Sequence, residues 1–237
     1  LKRTTVFSET KVIELEHPQT CITVKEYDCS VFFYRLDTLK MIYDPTSPYV
    51  ERFREAAARK MDEIIMNAFF AARKSGKDGT TSSAFGTSNT VVHGGTGLTV
   101  AKLRSLRKLI KKRHLDIRTR KPMIAVTADE ADNLLGEVAV GSHDYNAVKP
   151  LVDGEVSSFM GFEFIPYEDN GDGSNGRGIP THADSGTVRE LPVWVPEGMH
   201  TGMWGALDIR IYNHRDKNRI KQIHGTFTMG ATRTEEG

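Results

Sequence analysis

The feature that most constrains this 237-residue chain is a long amphipathic helix predicted between residues 47 and 75. Apolar side chains recur there at steps of three and four, namely Val50, Phe53, Ala57, Met61, Ile64, Ala68 and Ala72. Ser47 can cap the start of the helix, with Pro48 at the first helical position, and Gly76 can end it. A helix of this length extends about 40 Å at 1.5 Å per residue. It is therefore predicted to be the structural spine of the protein.

The first 29 residues are predicted to form an extended hairpin that has no core of its own. Apolar and polar side chains alternate from Lys11 to Leu15, His17-Pro18 breaks the pattern, and a second strand is predicted to begin at Cys21. Because an isolated two-stranded hairpin is marginally stable in water at best, the rest of the chain or a neighbouring subunit must hold it. The candidate inter-subunit contact residues are Phe7, Lys11, Val12, Ile13 and Leu15.

A second helix, predicted to follow the N-cap Thr99, carries a block of positive charge. From Lys102 to Lys121 there are ten Lys and Arg residues and one acidic residue, Asp116. Helical spacing predicts a buried face formed by Val100, Leu103, Leu106 and Ile110. The candidate basic contact surface is formed by Arg104, Lys108, Lys111, Lys112 and Arg113. Such a surface can meet nucleic-acid phosphates, an acidic partner or solvent, and these alternatives stay open.

The rest of the chain is predicted to interleave short strands with helix. Residues 123–126 form a buried strand, and a capping box of Thr127 and Glu130 opens a short helix that ends at Gly136. Residues 160–165 form another strand, and residues 168–190 form a long loop. Two closing strands form an antiparallel hairpin, whose buried face carries Leu207, Ile209, Ile211, Ile223, Phe227, Met229 and Ala231.

Composition excludes several classes of protein. The 32 Lys and Arg residues balance 31 Asp and Glu residues, which argues against a protein that coats nucleic acid by bulk basicity. No apolar run approaches the roughly 20 residues that span a bilayer, so no membrane partner is expected. Cys21 and Cys29 are too few for a disulfide scaffold and favour a reducing compartment, although one bridge stays open. Since the chain starts without Met, it is expected to be part of a longer one.

No reaction centre is indicated. The eight histidines show no zinc spacing, and the adjacent Ser142-His143-Asp144 are unlike a triad, which is assembled from separated positions. Residues 168–173 lack the alternating oxygen ligands of a calcium loop. Gly94–Gly97 opens a helix and could cradle a phosphate, but no Lys-Ser or Lys-Thr stands at the Walker spacing. We therefore expect no enzyme activity, no cofactor and no metal.

Seven short segments stand in a distinctive order between roughly residues 27 and 237. They are Asp44–Tyr49, Gly95–Leu103, Ile124–Ala128, Asp144–Val152, Gly154-Glu155, Phe159–Ile165 and Gly230–Glu236. In this order they resemble the major capsid proteins of tailed bacteriophages with the Hong Kong 97-type fold. The resemblance implies an α+β protomer. Residues 1–29 would be the extended hairpin, or E-loop, residues 30–98 the peripheral domain with the spine helix, residues 99–190 the axial domain, and residues 191–237 the closing strands that return to the peripheral domain.

The same resemblance implies a structural protein of the virion. Such proteins self-assemble into pentamers and hexamers of an icosahedral head around double-stranded DNA, and they are assembled in the host cytoplasm. The implied partners are copies of the chain itself, scaffolding, portal and decoration proteins, and DNA bound without sequence specificity. The chain departs from the family by lacking the usual longer N-terminal arm and in residues 172–186. Two alternatives stay open, an encapsulin-type bacterial compartment shell and a phosphate- or nucleic-acid-binding protein.

Overall fold

The computed structural model describes residues 19–33, 46–113, 119–141, 158–167, 188–214 and 220–234. The helices in these ranges are α1 (Thr46–Phe70), α2 (Val100–Lys112) and α3 (Ala128–Gly141). The strands are β1 (Thr20–Cys21), β2 (Lys25–Phe33), β3 (Arg73–Ser75), β4 (Thr81–Ser83), β5 (Met123–Val126), β6 (Ser158–Phe159), β7 (Phe162–Pro166), β8 (Val193–Trp194), β9 (Met199–His214) and β10 (Ile220–Arg233). Short 3₁₀ helices span Thr87–Asn89 and Pro196–Gly198.

The longest strands form an antiparallel sheet in the order β2-β10-β9, and helix α1 packs against it. Strands β9 and β10 are the predicted closing hairpin, which is confirmed. On the helix side of the sheet, Ala57 of α1 packs with Phe227 and Met229 of β10. The ring of Phe53 lies 3.4 Å from the position that a Cβ on Gly225 would take, so the glycine lets the helix approach the strand closely. The predicted long helix is therefore confirmed, and it packs mainly against β10.

Helix α1 differs from the prediction at both ends. It begins at Thr46, so Ser47 lies within the helix, and it ends at Phe70 instead of continuing to residue 75. Residues 73–75 form β3, which pairs with β1 on one side and β4 on the other. Gly76, predicted to end the helix, has a φ of +92° and belongs to the turn between β3 and β4. Pairing with strands on both sides gives the backbone N–H and C=O groups of residues 73–75 hydrogen-bond partners, so the helix does not continue. Glycine at position 76 permits the positive φ of the β3–β4 turn.

A smaller sheet has the order β6-β7-β5-β8. Strand β5 pairs in parallel with β7 and in antiparallel with β8. The strand predicted over residues 160–165 is wrong at its start, because Met160 and Gly161 form the turn that joins β6 to β7. Their φ angles are +53° and +88°, and positive φ at both central residues is typical of a tight hairpin turn.

The predicted capping pair at the start of α3 is confirmed. The Thr127 N–H donates to Glu130 Oε2 at 3.0 Å, and Arg189 Nη1 donates to Glu130 Oε1 at 3.2 Å. The predicted end of the helix at Gly136 is wrong, since α3 continues to Gly141. Gly136 is exposed, and a glycine inside a helix costs only about 1 kcal/mol, which a capped and packed helix tolerates.

Strand β5 joins two parts of the hydrophobic core because both of its faces are buried. One face packs in a cluster with α2, α3 and β7, formed by Leu98, Leu103, Ile124, Val126, Leu134, Phe162 and Phe164. On the other face Ala125, which is fully buried, contacts Met66 and Phe69 near the end of α1. Successive side chains of β5 point to opposite faces, so this one short strand connects the part of the core at α1 to the part at α2 and α3.

A buried arginine holds the C-terminal end of α1. Arg233, at the end of β10, donates from Nη1 to the Phe69 carbonyl oxygen at 2.8 Å and from Nη2 to the Ser83 carbonyl oxygen at 3.3 Å. Its guanidinium lies 5.0 Å from the centre of the Phe85 ring. The last carbonyl groups of a helix lack helical donors and carry partial negative charge. A cation buried at this point satisfies one of them and fixes β10 to α1 and β4.

Thr234 extends the same junction to the start of the described chain. Its carbonyl oxygen accepts from Arg73 Nη1 at 2.7 Å and from Thr20 Oγ1 at 3.4 Å. Its N–H donates to the Gly198 carbonyl oxygen at 3.0 Å. The end of β10 thus holds strands β1 and β3 and the segment that leads into β9.

Replacing the buried arginine should destabilise the fold. In Arg233→Met the Phe69 carbonyl oxygen stays buried without its donor, which costs about 1–3 kcal/mol. The free energy of unfolding of the unassembled protein, measured in urea, should fall by this amount. Arg54→Met, which removes an exposed arginine of α1, is the control and should change little. Equal effects of the two substitutions would contradict the role given to Arg233.

Two glycine-to-alanine substitutions should have opposite effects. A Cβ on Gly230 would lie 2.5 Å from the Thr23 carbonyl oxygen and 2.8 Å from Ile22 Cγ2, so Gly230→Ala must displace backbone. Such overpacking typically costs about 1–3 kcal/mol. A Cβ on Gly136 would have open space around it, so Gly136→Ala should stabilise α3 by up to about 1 kcal/mol. Thermal unfolding of both variants checks the pair, and a Gly230→Ala variant as stable as the unaltered protein would contradict the close approach of Thr23 to β10.

Candidate functional site

Helix α2 presents a row of cations opposite its core-facing side. Leu103 is buried and the other predicted core residues Val100, Leu106 and Ile110 pack around it, so the predicted apolar face is confirmed. The exposed side carries four of the predicted basic residues, Arg104, Lys108, Lys111 and Lys112. They line an open groove of about 490 Å³ together with Arg107 and Met160. We call this the α2 groove.

Arg113, the fifth predicted basic residue, does not line the groove. It follows the last residue of α2, and its Nη2 donates to Asn89 Oδ1 at 2.6 Å. This contact fixes the end of α2 to the 3₁₀ helix Thr87–Asn89. Arg113 therefore joins two segments of its own chain.

The sequence pattern did not single out Arg107 or Met160 as site residues. Arg107 stands at steps of three and four from Arg104 and Lys111, so the helical period was a sufficient signal for it. Met160 had no such signal. It reaches the groove because it lies in the tight turn between β6 and β7, a segment that its alternating pattern predicted to be strand.

The Gly-rich segment before α2 has its polar groups engaged within the protein. Thr99 caps the helix by accepting from the Lys102 N–H at 3.3 Å, as predicted, and Glu137 of α3 accepts from the Val100 N–H at 2.6 Å. Lys102 Nζ donates to the Gly97 carbonyl oxygen at 2.8 Å, and burial lowers the pKa of this amine. A carboxylate already occupies the helix N-terminus where a phosphate would bind. These contacts argue against the predicted alternative of a phosphate cradle at Gly94–Gly97.

A second exposed surface lies along strand β9, at the edge of the large sheet. Four large apolar side chains of β9 are between 42 and 64% exposed, namely Met203, Trp204, Ile211 and Tyr212. We call this set the β9 edge. Apart from β10 on its inner side, β9 has no partner strand among the described residues. An exposed edge strand with apolar side chains is a typical site for contact with another chain.

The register shows that the β9 edge reaches both faces of the sheet. Phe32, Gln222 and Tyr212 stand side by side, and Ile211 stands beside Ile223 one residue away. Successive side chains of a strand point to opposite faces, so Tyr212 and Ile211 lie on different faces. Helix α1 buries Ile223 but leaves Ile211 half exposed, which corrects the prediction of a fully buried face.

The predicted contact residues of the N-terminal hairpin, Phe7, Lys11, Val12, Ile13 and Leu15, lie outside the described residues. The described end of this segment pairs within the chain, since β1 pairs with β3 and β2 pairs with β10 from Lys25 to Phe33. Residue 29, the predicted end of the hairpin, therefore lies inside a continuous strand. Cys21 and Cys29 are both free thiols, so the disulfide that the sequence left open is not formed.

Neither a metal site nor a membrane-spanning helix is present in the described part of the chain. His, Cys, Asp and Glu side chains in the described ranges form no group of three or more that could hold a metal ion. In the same ranges, none of the helices combines the length and apolar character needed to cross a membrane.

The comparisons with known proteins agree with one another. A protein-family model described as phage capsid protein matches residues 2–237. The capsid of Cyanophage P-SCSP1u is 13% identical with a TM-score of 0.69, over 100% of this chain and 77% of that one. The capsid of Ralstonia phage GP4 is 9% identical with a TM-score of 0.65, over 90% and 70%. The head of Helicobacter pylori bacteriophage KHP40 is 10% identical with a TM-score of 0.60, over 90% and 68%. No curated protein sequence matches.

At sequence identities this low, the similarity to solved structures establishes the fold alone. The match to the family model establishes that the chain belongs to that family. The predicted α+β architecture is confirmed, since the matched chains come from phage capsids and heads and the alignment covers at least 90% of this chain. Membership of a capsid family makes the chain a structural protein of the virion that assembles with itself. The chain belongs to the phage capsid protein family and has the Hong Kong 97-type fold of tailed-phage major capsid proteins.

Proposed function

We propose that this protein is the major subunit of an icosahedral phage head, which it builds as pentamers and hexamers around double-stranded DNA. The observation that carries the proposal is the likeness of nearly the whole chain to phage capsid structures. Assembly takes place in the host cytoplasm, with scaffolding, portal and decoration proteins as further partners. The protein has a structural role and catalyses no reaction.

The β9 edge supports assembly through physical chemistry. Complete burial of a large apolar side chain contributes about 1.5–3 kcal/mol, so covering the exposed part of each side chain in the β9 edge contributes roughly 1 kcal/mol. Such a contact is weak between two subunits. In a closed shell each subunit makes several contacts at once, and multivalency turns weak individual contacts into a stable particle. An edge strand of 16 residues is long enough to serve as one of them.

The division of the core supports the domain boundaries inferred from the resemblance. A cluster around Phe227 and Met229 joins α1 to the large sheet, which fits a peripheral domain of residues 30–98 completed by closing strands of residues 191–237. A separate cluster around Leu103 and Phe162 joins α2, α3 and the smaller sheet, which fits an axial domain of residues 99–190 extended by β8. The part of the predicted hairpin before β1 would then extend over a neighbouring subunit, and the pairing of β2 with β10 anchors its base.

Substitution of Trp204 tests the assembly surface. Trp204 is 64% exposed and aromatic, the type of side chain that most often dominates an interface. Trp204→Ser should raise the protein concentration needed for assembly, about tenfold for each 1.4 kcal/mol by which it weakens the binding between subunits. Sedimentation and electron microscopy of the full-length protein measure this threshold, and thermal unfolding verifies that the subunit still folds.

Val92→Ser is the matched control, because Val92 is 81% exposed in a loop away from the sheet. It should leave the threshold unchanged. If Trp204→Ser assembles like the unaltered protein, the β9 edge is not a subunit contact. If the unaltered protein stays monomeric under all conditions, even with its native partners, the proposed function itself is wrong.

The contents of native particles test the enclosed partner. A phage head should contain double-stranded DNA that resists added nuclease, because the closed shell excludes the enzyme. Extraction of nucleic acid and protein from purified particles measures this. Packaged enzyme without DNA would instead show an encapsulin-type compartment.

A further inference from the structure

The cations of the α2 groove have no acidic partner among the residues that the structure describes. Five basic side chains line it, from Arg104, Arg107, Lys108, Lys111 and Lys112. In the ranges covered by the structure none of the five takes part in an ion pair, whereas other cations, such as Lys60 and Arg189, do. Like charges held side by side on one helix face repel each other. An anionic ligand would remove this repulsion.

Arg107, one of the five cations, is partly buried beside the groove. Its Nε is buried and has no hydrogen-bond partner among the described residues. A buried donor without an acceptor costs free energy, and in a folded protein it usually has a partner from the protein, water or a ligand. Solvent does not reach this Nε, so an anion in the groove would act on Arg107 through charge attraction and not through a hydrogen bond to Nε.

The lining of the groove favours phosphate over a protein partner. Among the described residues that line it, three of the five cations are lysines and Met160 alone is apolar. Cores of protein interfaces are depleted in lysine and enriched in aromatic residues, and the groove shows the opposite composition. Phosphate backbones, by contrast, are contacted mainly by Lys and Arg, with no need for apolar contact.

The spacing of the cations fits a nucleic-acid backbone. Arg104, Lys108 and Lys111 follow one another by four and three residues, which are steps of about 6 and 4.5 Å along a helix. Double-stranded DNA presents one charge per about 1.7 Å of its axis, so this row faces several phosphates at once. None of the described lining residues is aromatic, so they offer no surface for base stacking.

We propose that the α2 groove binds the phosphate backbone of the packaged double-stranded DNA, without reading its sequence. This proposal rests on the proposed function, because it requires that the shell encloses DNA and that the groove faces its interior. The exposed face of α2 would then be the surface through which the subunit contacts the packaged DNA. The binding is electrostatic and therefore falls steeply with salt concentration.

A triple substitution of lysines tests the proposal. Lys108→Gln, Lys111→Gln and Lys112→Gln together remove three charges from the exposed side of α2. The probe is a short DNA duplex added to the unassembled full-length protein, with affinity measured by fluorescence anisotropy between about 50 and 200 mM salt. The slope of log affinity against log salt should become shallower by about two to three, because each phosphate that a lysine neutralises contributes about 0.9 to it.

The matched control removes the same charge elsewhere. Lys25→Gln, Lys74→Gln and Lys77→Gln replace exposed lysines outside the groove and should leave the slope unchanged. A second variant, Lys108→Arg, Lys111→Arg and Lys112→Arg, keeps the charge and should keep the binding. Equal slopes for the two glutamine variants, or no binding of the duplex by the unaltered protein at low salt, would overturn the proposal.

An assembly assay on the same proteins separates this proposal from the proposed function. The glutamine variant of the groove should still form particles, since its substitutions lie at a surface that meets DNA. If it alone fails to assemble while its subunit remains folded, the groove is a subunit contact and the DNA proposal is wrong. If the unaltered protein also fails to assemble, the proposed function fails, whatever the binding data show.

Discussion

The burial of Arg233 is the interaction on which the rest of the protomer depends. Its guanidinium donates to a carbonyl oxygen at the end of α1, across 164 residues of sequence, and to a carbonyl oxygen of β4. A helix end inside a protein needs donors from elsewhere, and here the last strand supplies them. The closing strands must therefore return to α1 before its end can be buried. That return places β10 in the centre of the large sheet and leaves β9 at its edge.

Two exposed surfaces follow from this arrangement. Because α1 covers mainly β10, Ile211 of β9 stays half exposed although its neighbour Ile223 on β10 is buried. On the other part of the fold, α2 packs its apolar face into the core around Leu103 and so turns its cations outward. Contact at the first surface lowers the free energy by excluding water, and contact at the second lowers it by neutralising charge. We infer that the first meets neighbouring subunits and that the second meets the genome.

Local signals in the sequence predicted a large part of this fold. The period of three and four predicted α1, and side-chain caps placed the starts of α2 at Thr99 and of α3 at Thr127. The predictions are wrong where segments far away in the sequence determine the local structure. Residues 73–75 continue the helical pattern but pair with β1 and β4, and Met160 lies in a turn that only its pairing strands define. The basic row was visible in the sequence, whereas the position of Met160 beside it, in the β6–β7 turn, required the tertiary structure.

We infer that the protomer is one subunit of a shell, in which another copy of the chain covers its exposed edge strand β9. A cryo-electron microscopy reconstruction of native particles, at a resolution that shows side chains, tests it most directly. We expect Trp204 and Tyr212 to be buried against a neighbouring subunit. A shell in which β9 faces solvent along its whole length, with subunits joined through other surfaces, would contradict it.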